Sequence, residues 1–207
     1  ASADTLLIEN DPDLIYLREL NKKYKSEEFF IITYTPQNLT QENAIKELQN
    51  IVSEINNFTW ISKTISVINA PLLQSTNEPL IQRVKNLKYI TNEKVNLDKA
   101  INELTSSPVY KDLIISSDAK TYGIIAYLKD NKKYLSALEQ KTQLLNSKET
   151  NIKKLNFINK EIKKLQKQQS NNIKSYNKLI KNLLSNYKSN AEIRLSGIPM
   201  IADDMIT

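Results

Sequence analysis

The sequence predicts an α+β fold in which a small β-sheet carries a long helical insertion, and three observations support this prediction. First, EFFIITYT over 28–35 and TYGIIAYL over 121–128 are rich in β-branched and aromatic residues, which is typical of buried strands. Second, apolar residues recur at helical spacing between such segments, as over 44–55. Third, residues 129–188 contain no Pro or Gly and carry 15 Lys against 4 acidic residues, which favours long solvated helices.

In its first 68 residues, the sequence predicts a helix, a strand, a second helix and a second strand. Asp11 and Pro12 favour a helix start, and apolar spacing continues that helix to about residue 24. A strand follows at 28–35, and Thr40 then caps a helix whose apolar face continues to residue 55. Residues 60–68 alternate and predict the second strand. Such a strand–helix–strand unit predicts parallel strands with a right-handed crossover.

A hairpin is predicted in the middle of the chain. A helix that begins at Asn96 ends before Pro108, since Pro cannot continue a helix. Residues 109–116 and 121–128 then pair as two strands, joined by a turn at Asp118.

The Lys-rich stretch predicts three helices, because apolar residues at heptad-like spacing are interrupted by two polar stretches. We expect these helices at 132–146, 151–167 and 172–188. The first two pair as a hairpin, and the third returns to the body. A final short strand follows at 192–195, and a further short helix is expected at 80–87.

Together, these elements predict a split βαβ, ferredoxin-like sheet that helices cover on one face. We divide the chain into three parts. Residues 1–128 form the first part of the α/β body, and residues 129–171 form a Lys-rich helical hairpin insertion. Residues 172–207 contain the returning helix and the last strand, and Met200 to Thr207 resemble the start of a further helix.

The composition excludes most enzyme classes and predicts no cofactor. The chain has no Cys and no His, which excludes a thiol nucleophile, a Ser-His-Asp triad and Cys- or His-ligated metal sites. Its two Gly leave no room for a glycine-rich nucleotide-binding loop. No apolar run approaches the about 20 residues that a membrane span needs.

The acidic and turn residues are best explained by structural roles. Asp11 caps a helix rather than binding a cation, and Asp118 accepts hydrogen bonds within a turn. Gly197 and Pro199 form a turn after the last strand. Asp203 and Asp204 fit the first turn of a helix, because no further ligands accompany them.

The aromatic residues near the predicted strands are expected to belong mostly to the core. If one face of the sheet is left partly uncovered, some of them could line an apolar groove for a lipid-like ligand. The candidates for this groove are Phe30, Trp60, Tyr122 and Tyr127.

The Lys-rich segment over 129–188 leaves three interpretations open. Its 15 Lys and 4 acidic residues give it a net charge of +11, in a chain whose net charge is +6. It fits a solvated helix surface, a contact with an anionic membrane, or a contact with nucleic acid. Its positive charge is all Lys, and its aromatic residues belong to the apolar stripe. Specific nucleic-acid recognition usually relies on Arg and on stacking rings, so we do not expect nucleic acid as a partner.

Four segments, spread over nearly the full length, carry a resemblance to a known family. They are the entry DTLLIENDPDLIYLRELNKKYKSEEFFIITY, the second strand ISKTISVINAP, the block SSPVYKDLIISSDAKTYGIIAYL and the exit IRLSGIPMIADDMI. In this order they resemble the first large extracytoplasmic loop of RND-superfamily transporters, in particular the MMPL-like exporters. The motif positions, all with structural roles, are Asp11, Pro12, Pro108, Tyr110, Asp118, Gly197 and Pro199.

The resemblance implies a porter subdomain of a proton-driven exporter, with the same βαβ–βαβ plan and with hydrophobic or lipid-like substrates. It implies a location on the periplasmic side of the bacterial inner membrane. Ala1 would follow the first membrane span, and Met200 to Thr207 would lead into the second. The implied partners are the transmembrane helices and the second porter loop of the same parent chain, and a homo-oligomer is a further option. In this family the proton relay lies in the transmembrane helices, so the loop contributes a substrate path and no catalysis.

The long Lys-rich hairpin departs from the simplest pattern of that family, and two other functions stay open. The chain could be a stand-alone helical adaptor that associates with itself through residues 132–188. It could also be a basic-helix module that binds an anionic membrane or nucleic acid, with binding that weakens steeply as salt rises.

Overall fold

The computed structural model describes residues 28–74, 85–147 and 151–197. Within these ranges the chain forms four strands and four helices, which confirms the predicted α+β class. In chain order they are β1 (Phe29–Pro36), α1 (Gln41–Asn56), β2 (Ile61–Ile65), α2 (Leu97–Ser106), β3 (Tyr122–Leu128), α3 (Lys132–Leu145), α4 (Ile152–Ser185) and β4 (Ala191–Gly197). No helix within these ranges combines the length and the apolar character that crossing a membrane requires.

The four strands form one antiparallel sheet in the order β2-β3-β1-β4. Since β1 and β2 are both antiparallel to β3, they run in the same direction, as the strand–helix–strand unit predicts. They are not neighbours, however, because β3 lies between them. The pairing of β2 with β3 is irregular between Ile61 and Lys63, where the register shifts.

The core lies on one face of this sheet. Phe30, Ile32 and Tyr34 alternate along β1 and are fully buried. Their cross-strand partners on β3 are Ala126, Ile124 and Tyr122, which lie on the same face because paired residues of antiparallel strands point to the same side. Helices α1 and α4 contribute apolar side chains to the same cluster, namely Ala44, Ile45, Leu48, Ile51, Val52, Ile55, Ile180 and Leu184.

The predicted caps of the first two described helices are present. The Thr40 side chain accepts a hydrogen bond from the backbone N–H of Asn43, and the Asn96 side chain accepts one from that of Lys99. Each bond pairs a backbone donor that the first turn of a helix leaves without an intrahelical partner.

The predicted strand at 109–116 is wrong, although the turn that follows it is correct. The backbone N–H groups of Leu113 and Ile114 both donate to the carbonyl of Tyr110, so this segment forms helical-type turns. Only isolated bridges join it to neighbouring residues, including the antiparallel bridge between Ile115 and Tyr122. The Asp118 carboxylate accepts hydrogen bonds from the Ser116 hydroxyl at 2.6 Å and from the Lys120 N–H at 3.1 Å, as expected for a turn.

The predicted helices at 151–167 and 172–188 are one helix, α4, which has 34 residues. The polar stretch between them contains neither Pro nor Gly, so nothing in it prevents helical hydrogen bonding. The predicted boundary at residue 171 therefore falls inside a continuous helix. The predicted helix at 132–146 is confirmed as α3.

Helix α3 and the first half of α4 form a hairpin that we call the helical arm, comprising Lys132–Leu145 and residues 152–168. Its two helices meet along a narrow seam in which Ala137, Ile158 and Ile162 are buried.

Some sequence predictions lie outside the described residues. These are the helix to residue 24 with Asp11 and Pro12, most of the helix at 80–87, and the terminal segment with Pro199, Asp203 and Asp204.

Candidate functional site: the second face of the sheet

The face of the sheet opposite the core carries an apolar surface. Phe29 pairs with Tyr127, and Ile31 pairs with Ile125, one register position away from the core residues. The Phe29 and Tyr127 ring centroids lie 5.6 Å apart at an interplanar angle of 55°, a tilted aromatic contact. Ile31 remains 36% exposed. Ile125 is buried, with 7% exposure, and we call the other three residues, Phe29, Ile31 and Tyr127, the apolar sheet patch.

A cation lies directly beside the apolar sheet patch. The Lys63 Nζ atom is 4.5 Å from the centroid of the Tyr127 ring, within the distance at which an ammonium group is attracted to the face of an aromatic ring. Lys63 lies on β2, opposite Tyr127 in the register. The site therefore combines apolar and aromatic side chains with a cation that lies against the Tyr127 ring.

The same face becomes polar towards the other end of β1. The Thr35 and Thr121 hydroxyl oxygens lie 2.9 Å apart and share a hydrogen bond. On β4, the Arg194 guanidinium contacts the Glu192 carboxylate at 2.6 Å. This gradient means that an apolar ligand would be accommodated at the end where β1 begins.

Only one of the four predicted groove residues lies on this surface. Phe30 and Tyr122 are 0% and 1% exposed in the core, so they cannot line an open groove, and this part of the prediction is wrong. The reason is the register, which turns these two residues towards the helices. Tyr127 belongs to the apolar sheet patch. The prediction missed Ile31, for which alternation with Phe30 along β1 was the available signal.

The fourth predicted groove residue, Trp60, is held in a stack of aromatic rings. Its ring stacks on Tyr176 of α4 at 4.1 Å and 11°, and on Phe58 at 4.9 Å and 18°. Phe30 meets its edge at 6.2 Å. Trp60 therefore joins the sheet to α4 near the point at which the helical arm meets the body, which we call the root of the arm. Both faces of its ring are occupied by other side chains.

Gly197 occupies a position that requires glycine. Its φ is +137°, and a Cβ atom built there would lie 2.6 Å from the Phe29 carbonyl oxygen. A side chain would therefore be strained by the backbone conformation and would also collide with β1. The close approach keeps the last residue of β4 against the first residues of β1.

Pro108, Tyr110 and Asp118 lie in the turns between α2 and β3. Pro108 and Tyr110 border a depression of about 240 Å³ that Glu103 also lines. Burial raises the pKa of Tyr110, and the nearby Glu103 carboxylate adds to this rise. The hydrogen bond from the Ser116 hydroxyl lowers the pKa of Asp118, with a further contribution from the Lys120 N–H.

Two further tyrosines have raised pKa values and donate hydrogen bonds to carboxylates. Burial raises the pKa of Tyr34, whose hydroxyl donates to Glu47 at 2.9 Å. Burial and a 2.6 Å hydrogen bond to Glu54 raise the pKa of Tyr187 to about 12. Both pairs connect sheet or helix ends to α1, away from the apolar sheet patch. Among the residues that the structure describes, no group of three or more acidic side chains could hold a metal ion.

No protein-family model, no curated protein and no solved structure matches the sequence or the fold.

Proposed function

We propose that this chain is an extracytoplasmic porter domain of an RND-type, proton-driven membrane exporter, in which it provides part of the path for hydrophobic or lipid-like substrates. The observation that carries this proposal is the sheet order β2-β3-β1-β4, all antiparallel, with α1 between β1 and β2 and with α3 and α4 between β3 and β4. A split βαβ, ferredoxin-like domain also has a helix between its first two strands and one between its last two strands.

The resembling segments also support the proposal by their positions in this fold. ISKTISVINAP begins with β2, the block from Ser106 to Leu128 contains the turns and β3, and the exit segment begins within β4. The motif glycine of the exit, Gly197, is the residue whose conformation and close contact with β1 exclude other residue types. The resemblance therefore coincides with elements that position the sheet.

The apolar sheet patch supports the proposed class of substrate. Phe29, Ile31 and Tyr127 offer apolar and aromatic surface, and Lys63 adds a positive charge at the edge of that surface. A ligand with a long apolar part would match this surface. The domain would act by binding and guiding, while its parent chain supplies proton coupling, the transmembrane helices and a second porter loop. It would lie on the periplasmic side of a bacterial inner membrane.

The test measures export by the full-length parent protein in bacterial cells whose own exporters have been removed. A lipophilic fluorescent dye should accumulate less in cells that make the protein, and a protonophore should abolish the difference. Ile31→Glu should restore dye accumulation, because a carboxylate in the apolar sheet patch repels an apolar ligand. Thr33→Glu is the matched control on the same strand and face, and it should export normally. Dye accumulation that does not depend on the protein, or that a protonophore leaves unchanged, would contradict the proposal.

A further inference from the structure

The free end of the helical arm is unusually apolar for an exposed surface. Ile152 and Phe157 are 70% and 68% exposed, the highest values among the large apolar side chains that the structure describes. Leu145, the last residue of α3, is also exposed beside them in the hairpin. Exposed apolar side chains grouped at one end of an element indicate an interaction site.

Basic residues surround these apolar side chains. Lys153 and Lys154 line a shallow depression of about 380 Å³ together with Phe157, Ile158 and Gln140. We call Leu145, Ile152, Lys153, Lys154 and Phe157 the arm tip.

The rest of the arm is basic as well. Its described residues include nine Lys and two Glu, and no ion pair joins these Lys side chains to any described carboxylate. The lysines of the arm are Lys132, Lys133, Lys141, Lys153, Lys154, Lys160, Lys163, Lys164 and Lys167.

The arm also leaves the sheet in a defined direction. The Gln169 side-chain amide donates to the Glu28 carboxylate at 2.9 Å, so α4 passes the start of β1 at this residue. Gly197, the end of β4, pairs with Phe30 at the same end of the sheet. From Gln169 to Ile152 the helix continues for about 25 Å at 1.5 Å per residue. The arm tip therefore projects from the end of the sheet at which the described chain enters β1 and leaves β4.

We infer that the arm tip binds the surface of an anionic lipid bilayer, with Phe157 and Ile152 inserted among the headgroups and the lysines in contact with acidic lipids. Apolar side chains flanked by Lys are the combination by which helices attach to such surfaces. The direction of the arm adds to this argument only if the proposed function holds, because the bilayer then lies on the side of the chain connections. The exposed side chains and the charge do not depend on the proposed function.

A second copy of this chain fits the arm tip less well. Two such tips carry the same sign of charge, so bringing them together costs electrostatic free energy that an acidic lipid surface would instead supply.

The test measures binding of the purified 207-residue chain to vesicles by co-sedimentation. Vesicles that contain phosphatidylglycerol should bind it, vesicles of phosphatidylcholine alone should bind it much more weakly, and added salt should release it. The variant K153E/K154E should bind at least roughly tenfold more weakly, since each Lys near the surface contributes about 1 kcal/mol. F157S should bind roughly tenfold more weakly, because it removes the inserted ring.

Two matched controls lie on the body half of the same helix. K178E/K181E makes the same change in net charge at exposed positions distant from the tip, and L179S removes an apolar side chain that is 44% exposed. Both should bind like the wild type.

Equal losses in K153E/K154E and K178E/K181E would reduce the effect to net charge and overturn the proposal, as would equal binding to both kinds of vesicle. Self-association that F157S abolishes, without vesicle binding, would make the tip a contact between copies and would also overturn it. Since vesicle binding involves no transport, its failure is separate from failure of the export assay.

Discussion

The body and the helical arm differ in how much apolar surface each buries. The body places large side chains such as Ile32, Tyr34 and Ile124 fully out of solvent, in a core to which the sheet and the helices α1, α2 and α4 contribute. The arm buries only Ala137, Ile158 and Ile162 along its seam, and each remains slightly accessible. Since burial of apolar surface is the main stabilising contribution in folding, the body is a cooperative core and the arm is an attachment to it.

The arm is therefore expected to depend on its root more than on its seam. At the root, Tyr176 stacks on Trp60, and Gln169 bonds to Glu28. Because α4 is continuous from the arm into the body, packing of its second half keeps the first half helical. The arm can thus carry exposed apolar and basic side chains without a large core of its own.

The largest expected effect contrasts one isoleucine of the body with one of the arm. Ile32→Ala should lower the free energy of unfolding by about 4 kcal/mol, because it leaves a cavity at the centre of the core. Ile158→Ala should lower it by about 1 kcal/mol, because water and neighbouring side chains can fill a seam that is open at its edges. Urea denaturation measures both values. Equal losses would show that body and arm unfold as one unit of uniform packing.

Hydrogen exchange extends this comparison. In Ile158→Ala, the amides of α3 and of the first half of α4 should exchange faster, while those of β1 and β3 stay protected. Faster exchange throughout the sheet in this variant would contradict the separation of the two regions.

The next effect concerns the end of the sheet at which the arm is attached. Gly197→Ala should destabilise the body by about 2 to 3 kcal/mol, because the new Cβ would collide with the Phe29 carbonyl in a conformation that only glycine adopts easily. Thermal unfolding measures this loss. Ser196→Ala, the neighbouring position on β4, is the control and should change stability little. An unchanged midpoint in Gly197→Ala would mean that β4 can move away from β1 at no cost.

The sequence predicts local elements well where side-chain chemistry determines them. Thr40 and Asn96 cap their helices as predicted, and β1 and β3 lie within about one residue of the predicted strands. The sequence does not determine which face of β1 packs against the core, because both alternating sets of residues in EFFIITYT contain apolar side chains. Phe30 and Ile31 are equally suited to the core on composition, and only the register with β3 separates them.

The two remaining differences have separate causes. A polar stretch around Gln169 interrupts the apolar spacing and predicts a break, but contacts with the body at this point favour a continuous helix. Residues 109–116 contain β-branched and aromatic residues, as strands often do, yet the Tyr110 carbonyl accepts hydrogen bonds from the amides of Leu113 and Ile114 and the segment forms turns. A contact with the body determines the first outcome, whereas local backbone hydrogen bonds determine the second.

A smaller effect tests the root of the arm. Tyr176→Leu keeps an apolar side chain but removes the ring that stacks on Trp60, and it should lower the free energy of unfolding by about 1 kcal/mol. Tyr134→Leu is the matched change in the arm seam and should cost less. Because Trp60 is the only Trp of the chain, its fluorescence should shift in Tyr176→Leu and not in Tyr134→Leu. A shift in both variants would mean that the seam, too, controls how α4 meets the sheet.

The smallest effect is a pH dependence at the opposite end of α4. The Tyr187 hydroxyl donates to Glu54, and burial and this bond raise its pKa from 10.0 to about 12. The folded state therefore holds this proton more tightly than the unfolded state. The resulting stabilisation is complete below pH 10 and is lost as the pH rises through about 12.

Tyr187→Phe should remove this contribution, so the difference in stability between wild type and variant should shrink between pH 10 and pH 12. Urea denaturation across this range measures it, and the lysines cancel because both proteins carry them. A difference that stays constant would mean that the bond does not hold the end of α4 to α1.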